Sequence, residues 1–329
     1  MRSWGLNLTI PRGRVRCFRI LFGLFTIGLI PIFAAAKSVR PMQLGGYKAV
    51  PVHYGPLNKM ILSVAINGHP ANLLVDTGAN QNILDASSAE SFGVSPSRHG
   101  LRYVGSTQIN GQLVPVGFVR SLTAGTMDFG SSLVALLSAN ARSSFSNRLE
   151  GGDIRVDGVL GRDIFVRHKA VINCRTKFIF FKAERSRPSQ LPSVALSEKF
   201  TKVPLQQEGN GAFTVPCSIH GQPARLFVDT GAFVTAFSES FFKSLGIASE
   251  PTRVSAHFSS GGTKQISAAK ISDLQIGDFK VPPEKFGVTT LPEFALRQGT
   301  TKISGILGMD TLYMCQAIID LDGMNLFLK

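Results

Sequence analysis

The tetrapeptide Asp76-Thr77-Gly78-Ala79 occurs a second time in this chain, as Asp229-Thr230-Gly231-Ala232. The two copies lie 153 positions apart (229 minus 76), and the ten residues before each copy, 66–75 and 219–228, are identical at six positions. A long repeat in register predicts two equivalent lobes, each of which supplies one aspartate. Two carboxyl groups that face each other can share one proton and activate a water molecule between them.

A second shared motif follows each tetrapeptide. Residues 158–163 are Gly-Val-Leu-Gly-Arg-Asp and residues 305–310 are Gly-Ile-Leu-Gly-Met-Asp, an offset of 147 positions (305 minus 158). An apolar pair followed by glycine predicts a buried strand whose end can pack closely against another backbone. Chance similarity does not explain two motifs in the same order, so we interpret the chain as an internal duplication.

The composition favours a mainly β protein. The chain has 329 residues, of which 44% are hydrophobic, with 33 glycines and 17 prolines. This length accommodates two compact domains of about 130 residues each. In each repeat two strand-like segments flank a two-residue turn, Asn67-Gly68 or His220-Gly221, which is a typical hairpin signal.

Short helices are predicted at four places. Two of them, 86–92 and 239–245, end before Gly93 and Gly246, and glycine is the residue that most often follows a helix. The other two begin at Asp163 and Asp310, whose side chains we expect to cap the helix N-termini.

Five segments describe the organisation of the chain. Residues 1–36 precede the fold, 37–49 form a short irregular lead-in, 50–182 form lobe 1, 183–202 form an exposed linker, and 203–329 form lobe 2. The linker is inferred from its prolines, serines and charged residues.

The first 36 residues have the pattern of an export signal. Four arginines between positions 12 and 19 precede an uncharged apolar run over 20–33, and Ala34-Ala35-Ala36 offers a cleavage site. The segment is either a cleaved signal peptide or a retained membrane anchor through residues 20–36. Both alternatives predict an exported protein, periplasmic or secreted, and the second adds membrane association.

Charge and cysteine content limit the possible partners and cofactors. The net charge of +14 falls to about +9 without the five arginines of residues 1–36, and the remaining basic residues are scattered, so we expect no nucleic-acid binding. Cys174, Cys217 and Cys315 do not occupy matching repeat positions, which leaves open one disulfide between two of them. No Cys-x-x-Cys pair exists, and we expect neither a metal nor an organic cofactor.

The motifs of both repeats resemble those of the retropepsin-like aspartic proteases, in the tandem, single-chain form of an exported bacterial protein. The resemblance rests on apolar-apolar-Asp-Thr-Gly-Ala followed about 80 residues later by apolar-apolar-Gly. It implies two pseudo-symmetric acid-protease β-barrel lobes with short helices and an active site in the cleft between them.

The resemblance also implies a role for each motif residue. Asp76 and Asp229 would flank the attacking water as the catalytic pair. Thr77 and Thr230 would hydrogen-bond across the lobe interface and hold the two carboxyl groups coplanar.

The glycines after these threonines, Gly78 and Gly231, would let backbone N–H groups reach the carboxylates. A hairpin flap from each lobe, at 104–114 and 255–266, would close over the substrate.

Two departures from the family pattern affect the surroundings of the pair. Ala79 and Ala232 stand where pepsin-like enzymes have a hydroxyl that stabilises the ionised pair, so we expect activity at mildly acidic to neutral pH. The acid that retroviral enzymes place next, paired with an arginine, is replaced by Asn80 in lobe 1 and Phe233 in lobe 2.

The predicted function is therefore an aspartic endopeptidase that acts on a polypeptide substrate as a monomer with two lobes. The alternative from another class is a non-catalytic peptide-binding envelope protein that keeps the fold. A third arrangement keeps the chemistry but pairs like lobes of two chains.

Overall fold

The computed structural model describes residues 44–96, 106–109, 112–137, 154–257, 263–291, 297–298 and 301–329. The predicted signal peptide or anchor, 1–36, and residues 37–43 of the lead-in lie outside this part of the chain. None of the helices in the described part has the length and apolar character needed to cross a membrane.

The fold is mainly β, as the sequence predicts, and it includes a closed barrel of six strands with further sheet. The first repeat contains β1 (Tyr47–Tyr54), β2 (Met60–Ile66), β3 (His69–Val75), β4 (Ile83–Asp85), β5 (Ser106–Ile109), β6 (Gln112–Ala124), β7 (Met127–Leu137), β8 (Gly158–Leu160), β9 (Val171–Asn173) and β10 (Phe178–Lys182). Its helices are α1 (Ala86–Ala89) and α2 (Arg162–Arg167), with short 3-10 turns at Pro56–Asn58 and Glu90–Phe92.

Helix α3 (Leu191–Ser197) connects the repeats. The second repeat contains β11 (Thr201–Pro204), β12 (Gln206–Gln207), β13 (Phe213–Ile219), β14 (Gln222–Val228), β15 (Ala236–Ser238), β16 (Glu250–His257), β17 (Thr263–Ile271), β18 (Gln275–Ile276), β19 (Phe279–Lys280), β20 (Glu284–Thr289), β21 (Arg297–Gln298), β22 (Thr301–Lys302), β23 (Gly305–Leu307), β24 (Ile318–Asp320) and β25 (Asn325–Leu328). Its helices are α4 (Glu239–Ser244) and α5 (Met309–Met314).

The predicted hairpins are present in both repeats. Asn67 and Gly68 join β2 to β3 with φ of 51° and 86°, and His220 and Gly221 join β13 to β14 with φ of 52° and 70°. Positive φ at both turn residues is the geometry that matches the right-handed twist of an antiparallel pair. Asn67 is also held in place, because its side-chain amide donates to the carbonyl of Phe92 at 2.8 Å.

The strand before each aspartate is paired with the strand of the apolar-Gly motif. β3 lies parallel to β8, and β14 lies parallel to β23. Gly158 is needed here because a Cβ atom on it would lie 2.2 Å from the carbonyl oxygen of Ile83. A Cβ atom on Gly305 would similarly lie 2.7 Å from the carbonyl oxygen of Ala236. The glycines therefore allow β4 and β15 to pack against the strands that position the aspartates.

A six-stranded layer joins the two repeats in the order β11-β25-β24-β9-β10-β1. At its centre, Ile319 pairs with Ile172, and these two residues are 147 positions apart, the offset of the second motif. In the neighbouring pairs, Ile318 lies opposite Asn173 and Asp320 lies opposite Val171. Ile318 is the repeat equivalent of Val171, and Asp320 is that of Asn173, so the two pairs are related by the same symmetry. The repeats are therefore related by a pseudo-twofold axis that passes between two fully buried isoleucines.

The linker prediction was wrong in one respect. Residues 183–202 are not exposed throughout, because α3 buries Leu191 and Ala195 against the six-stranded layer, next to Val171 and Ile318. These two residues are four positions apart and so share one face of the helix. Pro192 is one of the prolines from which the linker is inferred, and it lies in the first turn of α3, where a missing N–H is tolerated.

The lead-in prediction, 37–49, also needs correction. Leu44 is buried, and β1 begins at Tyr47, three residues before the expected start of lobe 1. The reason is pairing, since Tyr47 and Lys48 continue the antiparallel ladder with Lys182 and Phe181 of β10.

An ion cluster fastens the two repeats together on one side of this layer. Asp322 of the second repeat binds the ammonium groups of Lys182 and Lys169, and accepts a hydrogen bond from the Tyr47 hydroxyl at 2.9 Å. The side chains of Asp322 and Lys182 are only 9% and 5% exposed. Burial raises the pKa of Asp322, but the hydrogen bonds from Lys182, Lys169 and Tyr47 outweigh it and hold the pKa below its usual value.

Replacing Asp322 with Asn is expected to lower the free energy of unfolding at pH 7 by about 3 kcal/mol, because it leaves the buried Lys182 ammonium without a counter-charge. Since the folded-state pKa of Asp322 lies below its unfolded value, the stabilisation is complete above about pH 5 and is lost as the pH falls through the folded-state pKa. Urea unfolding of both proteins across this pH range measures the difference.

The matched control is Asp278→Asn, which changes an exposed aspartate in another strand-to-strand turn and should cost less than about 0.5 kcal/mol. Equal stability of Asp322→Asn and the wild type at pH 7 would show that the cluster does not hold the repeats together.

Candidate active site

Each aspartate of the repeated tetrapeptide lies immediately after a buried strand. The backbone N–H of Asp76 donates to the carbonyl of Leu160 at 3.1 Å, and the N–H of Asp229 donates to that of Leu307 at 3.1 Å. The parallel pairing of β3 with β8 and of β14 with β23 thus extends one residue further and fixes the start of each tetrapeptide. Equal distances in the two lobes show that the duplication preserves this arrangement.

The two carboxyl groups lie close together where the lobes meet, since each occupies the space beside the glycine of the other tetrapeptide, and each alters the pKa of the other. Oδ1 of Asp76 also accepts the N–H groups of Gly78 and Ala79, at 2.7 and 3.0 Å. Oδ1 of Asp229 accepts those of Gly231 and Ala232, at 2.9 and 3.1 Å. Each carboxylate therefore has two fixed donors behind it.

Glycine is required after each threonine because the opposite carboxyl group occupies the space of a side chain. A Cβ atom on Gly78 would lie 2.6 Å from Cγ of Asp229, and one on Gly231 would lie 2.3 Å from Cγ of Asp76. These distances are shorter than any van der Waals contact, so an alanine at either position would force the two carboxyl groups apart.

The two threonines form reciprocal hydrogen bonds across the interface between the lobes. The N–H of Thr77 donates to Oγ1 of Thr230 and the N–H of Thr230 donates to Oγ1 of Thr77, both at 3.0 Å. Each hydroxyl then donates to the opposite lobe, Thr77 to the carbonyl of Val228 at 2.9 Å and Thr230 to that of Val75 at 2.8 Å. Both threonines are inaccessible to solvent, so each hydroxyl is satisfied entirely by the other lobe.

Burial is the main cause of the altered pKa values of the pair. It raises the pKa of Asp76, while hydrogen bonds from Asp229 and from the Ala79 and Gly78 N–H groups oppose the increase. The pKa of Asp229 lies well above its ordinary value because the negative charge of Asp76 adds to the effect of burial. A negative charge on one carboxyl group therefore opposes the ionisation of the other.

A second layer of polar side chains supports the tetrapeptides. Oδ1 of Asn82 accepts the N–H of Gly161 at 2.9 Å, and Oγ1 of Thr235 accepts the N–H of Gly308 at 3.0 Å. Asn82 and Thr235 are 153 positions apart, so they are equivalent residues of the two repeats. Neither residue is recognisable from the repeated motifs, because the two differ in type and only their offset of 153 positions relates them.

The prediction that Asp163 and Asp310 cap helices was wrong. The N-cap positions of α2 and α5 are occupied by Gly161 and Gly308, which have no side chain that could cap the helix. Asp310 instead accepts the backbone N–H of Thr235 at 2.8 Å. Both aspartates lie one residue inside their helices, because the extended backbone at each glycine ends the strand-like segment there.

The two lobes differ where the family pattern has an acid. In lobe 1, the Arg162 side chain is buried at the start of α2. In lobe 2, the equivalent residue is the fully buried Met309, and the Lys59 ammonium lies 5.2 Å from the ring centre of Phe233. The lobes are thus symmetric in backbone and in the tetrapeptides but not in the charges around them.

The expected flap segments are hairpins in the part of the chain that the structure describes. Residues 106–109 of β5 pair with residues 112–115 of β6. β16 pairs with β17, with a register shift between Pro251 and Ser255. The hydroxyl of Thr107 lies 3.2 Å from the side-chain nitrogen of Gln81, which places the first hairpin beside the tetrapeptide loop. The residues between the paired strands, 110–111 and 258–262, lie outside the described residues.

Cysteine and metal sites do not contribute to this region. Cys174, Cys217 and Cys315 are buried free thiols, so the disulfide left open by the sequence is not formed. Within the described ranges, no group of three or more His, Cys, Asp or Glu side chains is arranged to hold a metal ion. A polar cavity of about 320 Å³ between Glu239, Gln265 and Thr289 lies within lobe 2 and does not include the paired aspartates.

The fold and the paired tetrapeptides define a two-lobed acid-protease architecture. A family model described as aspartyl protease matches residues 62–164 and 215–311, one segment in each lobe. Because these segments cover more than half of the chain, the protein belongs to the aspartyl protease family, in a retropepsin-like form with two lobes.

A solved structure supports the same fold. The chain is similar to the aspartic proteinase from Irpex lacteus, with 15% identity over 86% of this chain and 96% of that one, and a TM-score of 0.51. It is also similar to conglutin gamma, a basic 7S globulin from lupine seeds, with 11% identity over 86% and 95% of the two chains and a TM-score of 0.48. No curated protein sequence matches the chain.

Replacing Gly78 with Ala is expected to lower the free energy of unfolding by about 1–3 kcal/mol, because its Cβ atom would overlap the Asp229 carboxyl group in a packed interface. Urea unfolding measures this change. The matched control is Gly209→Ala, since a Cβ atom on Gly209 meets nothing within 4 Å. A Gly78→Ala protein as stable as the control would contradict the close approach of the two lobes at this point.

Proposed function

We propose that the protein is an aspartic endopeptidase that hydrolyses peptide bonds with a water molecule activated by Asp76 and Asp229. The observation that supports the proposal is the close approach of their carboxyl groups, each of which has two backbone N–H donors behind it. A pair of buried carboxyls that shares one proton contains both a general base and a general acid at the same place.

In the proposed reaction, the ionised carboxylate takes a proton from water while the water oxygen attacks the carbonyl carbon of the peptide bond. The protonated carboxyl group donates its proton to the carbonyl oxygen, which gives a neutral tetrahedral diol. The intermediate collapses when the C–N bond breaks and the amine nitrogen takes the proton held by the carboxyl group that acted as base. One hydroxyl of the diol gives its proton to the other carboxylate, which leaves a carboxylic acid product and restores the pair with one proton. The enzyme forms no covalent bond with the substrate.

The residues around the pair would keep it ready for this chemistry. The reciprocal bonds of Thr77 and Thr230 fix the relative position of the two aspartates, so little reorganisation is needed when a substrate binds. The N–H of Gly78 donates to Asp76 and the N–H of Gly231 donates to Asp229, and each bond stabilises the ionised form of its carboxyl group. The flap hairpins would exclude water from the cleft.

The proposal extends to the cellular context and assembly. We propose a polypeptide substrate, an exported location determined by residues 1–36, and a monomer, because one chain supplies both carboxyl groups. A non-catalytic peptide-binding protein with this fold is the alternative outcome. The equivalent geometry of the two carboxyl groups supports the enzyme, since binding a peptide requires neither of them. Two buried carboxyl groups in contact would give a purely binding protein no stability.

Replacing Asp76 or Asp229 with Asn is expected to lower kcat/KM for peptide cleavage by at least about 10³-fold, because each change removes the acid or the base of the pair. The measurement is cleavage of a mixed peptide library by the exported protein, with and without pepstatin, across pH 2–8. We expect the wild-type rate to peak at mildly acidic to neutral pH, since Ala79 and Ala232 provide no hydroxyl to the ionised pair.

Asp278→Asn, which changes an exposed residue, is the control and should keep full activity. A mixture of the Asp76→Asn and Asp229→Asn chains should stay inactive, because neither chain contains a complete pair, whereas activity in the single variants would indicate pairing of like lobes between chains. A folded wild-type protein that binds peptides but cleaves none would establish the binding alternative, and a rate that peaks near pH 2 would contradict the role of the alanines.

A further inference from the structure

Arg162 breaks the symmetry of the site. It is the first residue of α2, and its equivalent at the start of α5, 147 positions later, is Met309. The Arg162 residue is 6% exposed and Met309 is fully buried. The duplicated architecture therefore accepts an uncharged side chain at this position, and the arginine in lobe 1 requires an explanation beyond packing.

The contacts of Arg162 hold it beside the paired aspartates. Its backbone N–H donates to the carbonyl of Ala79 at 2.9 Å, and the N–H of Ala79 donates to Asp76. One guanidinium nitrogen, Nη2, lies 3.4 Å from the carbonyl oxygen of Asn210, which belongs to lobe 2. The side chain thus crosses the interface between the lobes, while the backbone of Arg162 is linked to Asp76 through Ala79.

Across the described part of the chain, no carboxylate forms an ion pair with Arg162 within 4.0 Å. Glu208, two residues before Asn210, accepts hydrogen bonds from Thr214 and Thr301 and lies 3.9 Å from Arg225. That carboxylate therefore has its own partners.

Within the described residues, no other charged group near the site pairs with Arg162. Asp310 is bound by Thr235, and Asp163, whose Oδ1 has no hydrogen-bond partner, has a pKa that burial raises, which favours its neutral form. The Lys59 ammonium lies over the Phe233 ring on the lobe 2 side. Among the residues that the structure describes, the negative charge that remains for Arg162 is that of the two paired aspartates.

A buried guanidinium without a counter-charge is strongly unfavourable, so its partner must be found nearby. The aspartate pair with one shared proton carries a net charge of −1, and Arg162 carries +1. Burial lowers the pKa of Arg162, and the charges of Asp76 and, to a smaller extent, Asp229 raise it. Its positive charge in turn lowers the pKa of Asp76.

We propose that Arg162 is the counter-ion of the aspartate pair and that its position in lobe 1 places the negative charge on Asp76 and the proton on Asp229. Arg162 is a positioning residue in this account, because it acts through the charge of Asp76. Combined with the proposed function, on which this part rests, the assignment makes Asp76 the base that takes the proton of water. Asp229 is then the acid that protonates the carbonyl oxygen of the substrate.

The test is a titration that does not depend on catalysis. The wild-type protein is labelled with 13C at the aspartate carboxyl carbons, and the Asp76→Asn and Asp229→Asn proteins assign the two resonances. In the wild type, the Asp76 carboxyl is expected to ionise at lower pH than the Asp229 carboxyl. In Arg162→Met, which installs the side chain of the equivalent position, the first ionisation of the pair should move up by about one pH unit.

Two further variants separate a local charge effect from other causes. Arg167→Met makes the same substitution on an exposed residue of the same helix and should leave the titration unchanged. Arg162→Lys keeps the charge and should restore most of the wild-type titration, and it serves as the second variant if Arg162→Met fails to fold.

An unchanged first ionisation in a folded Arg162→Met protein would overturn the proposal, as would ionisation of Asp229 before Asp76 or an equal shift in Arg167→Met. The result is distinguishable from a failure of the proposed function. A protein that cleaves no peptide but shows the expected titration shift would retain the counter-ion role of Arg162 and lose the peptidase. A protease whose titration is insensitive to Arg162 would retain the peptidase and lose the counter-ion.

Discussion

The reciprocal hydrogen bonds between Thr77 and Thr230 are the interaction on which the rest of the site depends. Each buried hydroxyl accepts an N–H from the opposite lobe and donates to a carbonyl of that lobe, so neither threonine is satisfied unless the lobes meet at this point. The aspartate lies one residue before each threonine and the glycine one residue after it. Fixing the threonines therefore fixes the contact between the carboxyl groups and the space that only glycine can leave free.

The repeated motifs contained enough information to predict the two-lobed, mainly β fold, because their physical requirements are local. Asn67-Gly68 adopts the positive φ angles that a tight hairpin requires, and Gly161 packs where a Cβ atom would lie 2.4 Å from the carbonyl oxygen of Gln81. Helix α3 was not predicted because its stability comes from burying Leu191 and Ala195 on a sheet that exists only after both repeats have folded. The capping role of Asp310 was misassigned for a similar reason, since its partner Thr235 is 75 positions away in the chain.

The two halves of the molecule share a backbone but have different charges. On one side of the interlobe layer, Asp322 joins Lys182 and Lys169. On the other side the equivalent interactions are aromatic, with Arg175 over the Tyr313 ring and Lys329 over the Phe200 ring. A duplicated chain can diverge in this way because each lobe needs only to complement its partner, whereas a symmetric dimer must place every charge twice. The one-sided arginine near the aspartate pair belongs to the same pattern.

The most direct test of the account is a double-mutant cycle on the two threonines, read as free energies of unfolding in urea. Thr77→Val removes the partner of the Thr230 N–H and of the Val228 carbonyl, and Thr230→Val removes that of the Thr77 N–H and of the Val75 carbonyl. Either change also lets the lobes separate at this point and weakens the two bonds that remain, so the second change costs less than the first. We expect the two single changes to be strongly coupled, with a coupling free energy of about 1–3 kcal/mol, whereas Thr77→Ser should stay close to the wild type. Effects of the two valines that add to within about 0.5 kcal/mol would contradict an interface held by these reciprocal bonds.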